Sequence, residues 1–501
     1  MSQTSGAPQG DKYTKLAGNT LIFAISSFSS KLLSFLVKPF LSHVMKETSV
    51  MGVSNLASQC ANLLIPVVSL GISNAVIRFG LDKNNDKKQV FTNSLLSILL
   101  GYAVLLLLWP VITLVPTIAD YGVYIYIYVL TSCLRTLCTQ FVRSRQINRL
   151  VAVDGVLCTF LTMGFYTLFL LWLDMGAAGY LLAIILGDLC SALFLFWRAK
   201  LWQYLDFTRL NLRLWKKMLR YALPMIPAQI SFWIINASDL FFVKGMCEGY
   251  AGLTGDEWAG LLSSGYWIPT ILNTLGIIFY EAWQISAVTE EEEREAFFTK
   301  IFRLYAGILF CCAAGIIWLC QPLMHVFREN FFTSWTFVPF LTIAAIFTCF
   351  NQFFSSIYVV YTRSTNALYT MLAGAVANLF LNWLFIRQWG PMGAALASAL
   401  SLGLVFVLRA LDTRRLLKVK FGPGRMVVSL CILLTEAVVM LRDVRGWPII
   451  TTLLTAAMIA YQWESVWGMM RLLLPKLLGR RGRALVARLE KHTAPDKKIK
   501  K

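Results

Sequence analysis

Residues 26–42 read SSFSSKLLSFLVKPFLS, apolar enough to enter a bilayer and yet carrying two lysines. A charged side chain at the bilayer centre costs about 2.5–3.5 kcal/mol on insertion scales, so a helix with two of them turns them toward protein or water. The spacing allows it. Ser27, Lys31, Ser34, Lys38 and Ser42 follow one another at three- and four-residue steps and form one stripe, with Leu, Phe and Val opposite. Pro39 adds a kink near the outer end. Lys38 is close enough to that end to snorkel to the headgroups. Lys31 lies near the midpoint, which points to a water-filled cavity beside it.

The rest of the chain agrees with a membrane solvent. Of its 501 residues 57% are hydrophobic and 14% charged, and the mean hydropathy is +0.63. A soluble domain is nearer half apolar and a quarter charged. Apolar segments of spanning length recur at roughly 17–43, 48–70, 90–116, 122–145, 150–173, 176–198, 217–245, 259–287, 298–322, 336–361, 366–387, 391–412, 425–441 and 447–464. The expected fold is an all-α polytopic membrane protein of about 14 transmembrane helices. The 11 cysteines form no CxxC pair and only three histidines are present, so neither a zinc site nor a disulfide framework is supported. Residues 1–16 are polar and no cleavage site follows them, so the first segment reads as a signal anchor.

The net charge of +20 sits in alternate loops, among them 82–89, 143–149, 198–220 and 409–425, and in the C-terminal tail. That asymmetry argues against nucleic acid as the partner and places both termini in the cytoplasm. The tail from Trp463 mixes leucines with basic residues, and it reads either as a stretch lying on anionic lipid or as a disordered solubilising tail.

A repeat divides the chain. MGAA occurs at Met175 and again at Met392, each time opening the second helix of a pair. Two duplicated six-helix lobes follow: an N-tail 1–16, an N-lobe 17–198, a cytoplasmic linker 199–216, a C-lobe 217–412, an appended helix pair 425–464 and a basic tail 465–501.

The seventh segment, counterpart of the first, carries Gln229, Asn236 and Asp239. Asp239 and Lys38 lie at similar depth past their helix midpoints, so they are expected to pair and leave Lys31 free for a ligand. Arg135 and Asp188 both fall near mid-membrane and are expected to satisfy each other. Glu281 lines the cavity or caps a gate, and Arg78, in the amphipathic run ISNAVIRFG, is a candidate for headgroup phosphate. Asp154 and Glu436 read as structural, and the acidic run 290–295 as a solvated helix start.

Three stretches, KLAGNTLIFAISSFSSKLLSFLVKPFLSHVM, GYWIPTILNTLGIIFYEAWQISAV and NWLFIRQWGPMGAALASAL, resemble bacterial polysaccharide flippases of the multidrug/oligosaccharidyl-lipid/polysaccharide exporter superfamily, over roughly residues 15–465. The resemblance implies a multi-pass protein of the bacterial inner membrane, with two lobes around a cationic cavity and no enzymatic activity. The implied substrate is a polyprenyl-diphosphate-linked oligosaccharide moved to the outer leaflet for capsule, exopolysaccharide or O-antigen assembly. Lys31 and Lys38 match the family's cavity cations, and Asp239 an acidic residue on the seventh helix. No cofactor is implied beyond a proton or sodium gradient, and glycan polymerases are possible partners. A peptidoglycan-precursor flippase and an ion-coupled multidrug exporter are the alternatives within the superfamily.

Overall fold

The computed structural model describes residues 35–82, 84–112, 119–289, 294–361 and 363–468, all of it helix and connecting turns with no strand among them. Among the described residues eleven helices are long and apolar enough to cross a membrane, or twelve if Gly255–Gly265 and Thr270–Tyr280 count as one broken span. The shorter apolar helices Phe35–Met45 and Trp447–Tyr461 occupy the places of the first and fourteenth sequence segments. The chain is therefore an all-α polytopic membrane protein, as the hydropathy pattern requires.

In chain order the helices are α1 (Phe35–Met45), α2 (Thr48–Val68), α3 (Ile72–Leu81), α4 (Lys87–Leu107), α5 (Gly122–Ser144), α6 (Asn148–Tyr166), α7 (Gly176–Arg198), α8 (Leu212–Ala222) and α9 (Ile226–Met246). Then follow α10 (Gly255–Gly265), α11 (Thr270–Thr289), α12 (Arg294–Met324), α13 (Val338–Val360), α14 (Ser364–Trp389), α15 (Pro391–Thr413), α16 (Pro423–Leu441) and α17 (Trp447–Tyr461). Two boundaries differ from the sequence expectation. The seventh span is preceded by a separate amphipathic helix, α8, which buries Leu214, Met218 and Ala222 and carries Arg213, Lys216, Lys217 and Arg220 around the rest. A 3-10 turn at Leu223–Met225, which holds Pro224, joins it to α9 in one helical run from Leu212 to Met246. The eighth span is broken over Tyr266–Pro269, where Pro269 lacks the N–H that the Gly265 carbonyl would take and its ring clashes with the preceding turn.

By contact the chain forms two compact units. Unit 1 holds residues 1–270, 324–337 and 368–401; unit 2 holds 271–323, 338–367 and 402–501. These units are not the two six-helix lobes read from the repeat, which are a division by topology and stand as a proposal. Unit 1 has its apolar core among α2–α5, α7 and α8, with Val129, Ile125, Leu181 and Val142 fully buried. Here α2 and α10 touch backbone to backbone: a Cβ on Gly52 would lie 1.9 Å from the Asp256 carbonyl oxygen, and one on Gly260 1.9 Å from that of Thr48. Only glycine permits that approach. Unit 2 is built on aromatic packing, in which Phe302 meets Phe350, Phe353 and Phe354 at centroid distances of 5.1–5.4 Å. Trp283 adds a hydrogen bond to Ser356 Oγ at 2.9 Å.

Candidate functional site

Lys38 is partly buried on α1, and its ammonium donates to the backbone carbonyl of Ser263 at 2.8 Å. That carbonyl is available because of the break after α10. The Trp267 N–H turns back to the Ser264 carbonyl, at 3.0 Å, instead of continuing the helical ladder to Ser263. α1 offers a matching vacancy. Pro39 has no N–H for the carbonyl four residues earlier, that of Phe35, and Trp267 Nε1 donates to this oxygen at 2.6 Å. The Phe35 and Trp267 rings stack at 4.2 Å, and Phe327 closes on Trp267 edgewise at 5.0 Å. Thus α1 and the break are tied by two hydrogen bonds, each using a carbonyl that the helix next to it cannot satisfy. α2 joins them through Asn55, whose amide donates to Ser263 Oγ at 3.2 Å.

Asp239, on α9, is fully buried and bound to the same break through Tyr266. Its carboxylate accepts from the Tyr266 hydroxyl, from the Leu240 N–H at 2.9 Å and from Ser398 Oγ on α15 at 3.4 Å. A polar chain continues from it. Ser238 Oγ donates to Asn378 Oδ1 at 2.9 Å, the Asn378 amide donates to Ser401 Oγ at 3.1 Å, and the Asn382 amide donates to Asn378 Oδ1 at 3.1 Å. Asn382 Oδ1 is buried without a partner. A buried polar network with one unfilled acceptor is costly unless something occupies it.

The expected pair of Lys38 with Asp239 is not formed. The lysine takes a carbonyl and the aspartate a phenol, and the two side chains are linked only through the segment Ser263–Tyr266. The reason is local: the break supplies a free acceptor and an aromatic hydroxyl three residues apart, which periodicity in α1 and α9 does not reveal. Among the described residues no carboxylate lies within ion-pairing distance of Lys38.

The other sequence candidates are scattered. Lys31 lies outside the described residues, as does the side chain of Glu281. Asn236 is exposed and donates to the Phe232 carbonyl at 2.7 Å, so it does not share the environment of Asp239. Gln229 Nε2 is buried without a partner. Arg78 is exposed on α3 with its guanidinium 4.6 Å from the centre of the Tyr221 ring. Arg135 does pair with Asp188, at 3.0 Å, and Ser191 joins it to Asp154 through bonds of 3.0 and 2.6 Å. Glu436 is buried and accepts from Thr455 at 2.8 Å. Arg409, grouped from the sequence with the basic loop 409–425, is instead buried in α15, donating to the Asn351 carbonyl at 2.7 Å.

Sequence reasoning passed over Tyr266, Asn378, Asn382, Ser398 and Ser401. The signal was present: asparagines four apart and serines three apart lie on single faces of apolar helices.

The family model described as polysaccharide biosynthesis protein matches residues 16–283, just over half of the chain. No curated protein matches. Among solved structures, the lipid II flippase MurJ in an inward closed conformation is similar with a TM-score of 0.69 at 12% identity, covering 90% of this chain and 99% of its own. The MATE transporter VcmN of Vibrio cholerae follows with a TM-score of 0.54 at 15% identity, covering 79% and 98%. An inward-facing multidrug resistance MATE transporter of the MOP superfamily gives 0.55 at 15%, covering 77% and 98%. At these identities the likeness concerns the fold. The chain belongs to the polysaccharide biosynthesis protein family, on a fold it shares with MurJ and the MATE proteins.

Proposed function

We propose that this protein is a flippase that moves a polyprenyl-diphosphate-linked oligosaccharide from the inner to the outer leaflet of a bacterial cytoplasmic membrane, with both termini in the cytoplasm. One observation carries the reading. Lys38 is a cation within an apolar helix whose described partner is a neutral carbonyl, so among the described residues its positive charge has no counter-ion. An anionic headgroup supplies one. A diphosphate carries about two negative charges and cannot cross hydrocarbon unaided, whereas its prenyl tail can remain in lipid. Lys31, two stripe positions earlier, adds a second cation under this reading. Alternating access of two lobes about the site would carry the glycan across.

Asp239 is the proposed coupling group, because its polar cluster holds a buried carboxylate beside the unfilled acceptor of Asn382. A proton or a sodium ion on that cluster would alter its hold on Tyr266 and so on the break in the eighth span. Glycan polymerases that take up the outer-leaflet product are the proposed partners.

The test is transport in proteoliposomes of a fluorescent prenyl-diphosphate oligosaccharide, with Lys38→Met and Lys31→Ala alongside the wild type. Movement of the glycan lipid that falls in both variants supports the reading. Export of organic cations without glycan-lipid movement would replace it with an ion-coupled exporter, and movement confined to the peptidoglycan precursor with the cousin flippase.

A further inference from the structure

At one end of unit 2 the start of α12, the α15–α16 loop and the turn after α17 enclose a cleft of about 570 Å³. Lys300, Arg303, Lys418, Lys420 and Arg425 line it, and Arg414 joins them in the hollow alongside. Two carboxylates, Glu295 and Glu464, face these six cations. Among the described residues one neutralising contact is made: Arg425 pairs with Glu464 at 2.6 Å. Among the described residues no carboxylate reaches ion-pairing distance of the other five. The cations are not a loose loop cluster. The Lys420 N–H donates to Thr299 Oγ1 at 3.1 Å, Ser465 Oγ donates to the Arg303 carbonyl at 3.2 Å, and Leu417 and Val419 are buried between the charged positions. Arg414 lies over the Phe421 ring at 5.4 Å.

The surface next to the cleft states what kind of anion fits. Val427 and Val428, within a turn of Arg425 on α16, are 58% and 43% exposed, and Trp463, beside Glu464, is 46% exposed. Apolar side chains open to the surroundings at the first turn of a spanning helix face acyl chains, and an indole at that level marks the membrane interface. The cations therefore stand at headgroup depth with acyl-chain surface adjoining them, the arrangement by which basic pockets at helix ends hold phosphate-bearing lipids.

We propose that this cleft is a binding site for the phosphate headgroup of an anionic phospholipid, distinct from the Lys38 and Asp239 groups of unit 1. It binds a resident lipid whatever molecule the protein transports. The lipid bridges α12, α16 and the loop between α15 and α16, fixing that end of unit 2.

The test uses the full-length purified chain, read by native mass spectrometry and thermal unfolding with added phosphatidylglycerol, phosphatidylcholine or inorganic pyrophosphate. Phosphatidylglycerol should remain bound and raise the midpoint by ~3 °C, with no rise for phosphatidylcholine. The variant Arg303→Gln/Lys418→Gln/Lys420→Gln should retain about fivefold less of that lipid, since each lost cation removes a share of the attraction. Lys87→Gln/Lys88→Gln, exposed cations of unit 1, should match wild type and control for net charge. Equal stabilisation by pyrophosphate would assign the cleft to a soluble phosphate compound and overturn the lipid. Lipid retention unchanged in the triple variant would overturn the site. If the lipid bound only after the glutamates at 290–293 were changed to glutamine, the cleft would belong to the chain's own acidic run, which also overturns it. Should the triple variant not fold, Lys418→Gln alone gives the same readings at smaller amplitude.

Discussion

Trp267 Nε1 donates at 2.6 Å to the carbonyl of Phe35, the oxygen that Pro39 leaves without a helical partner. Replacing Trp267 by Phe keeps an aromatic on the Phe35 ring but strands that oxygen, at a cost of about 1–3 kcal/mol. Pro39→Ala restores an N–H to it. The Trp267→Phe penalty measured in the Pro39→Ala background should therefore shrink by about 1 kcal/mol, a coupling that a double-mutant cycle of chemical denaturation reads directly. Equal penalties in both backgrounds would show that the indole is held by stacking alone.

Lys38 is expected to matter for transport more than for folding. Lys38→Met removes one bond to the Ser263 carbonyl and one cation, so transport of the diphosphate lipid should fall by about 10- to 100-fold, the worth of one charge-assisted bond. Lys38→Arg should recover part of it. Initial rates in proteoliposomes, normalised to reconstituted protein, separate this from a loss of fold.

The Tyr266 hydroxyl is the closest partner of the buried Asp239 carboxylate. Tyr266→Phe leaves the charge with the Leu240 N–H and a 3.4 Å contact to Ser398, and should lower stability by about 2 kcal/mol. Asp239→Asn in the Tyr266→Phe protein should cost less than Asp239→Asn in wild type, because the phenol is then no longer stranded. Thermal unfolding of the four proteins settles the comparison.

Gly52 and Gly260 set the distance between α2 and α10. Either changed to alanine places a methyl carbon at 1.9 Å from a backbone oxygen, so the helices must move apart. Overpacking of this kind costs about 1–3 kcal/mol. If these helices separate during transport, Gly260→Ala should also raise the labelling of a cysteine placed at Asn55, which faces Ser263 across the contact.

Two ion pairs should differ in worth. Arg135→Ala leaves Asp188 buried and unpaired and should destabilise by about 3–5 kcal/mol. Arg425→Ala breaks a pair whose side chains are 44% and 77% exposed, and should cost under about 1 kcal/mol. Unfolding midpoints of the two variants in one detergent provide the comparison.

The places of the spanning helices were legible in the sequence, because hydropathy is local and a bilayer fixes the length of each helix, but their number was not: fourteen segments were read, and eleven or twelve helices of spanning length stand among the described residues. The stripe of Lys38 and Ser42, the pair Arg135–Asp188 and the helix opened by each MGAA could likewise be read from spacing, since residues three or four apart on one helix must be neighbours. Partnerships between helices were not legible. Lys38 meets Ser263 across 225 positions, and Asp239 meets Ser398 across 159. Depth along two helices places Lys38 and Asp239 at one level, but a proline break in a third helix supplies nearer partners to both. Sequence alone thus determined which segments enter the membrane and which carry charge into it. Only the tertiary structure decided what each buried charge touches, because that choice depends on the Ser263 carbonyl freed where Trp267 turns back to Ser264 and on which backbones glycine lets approach.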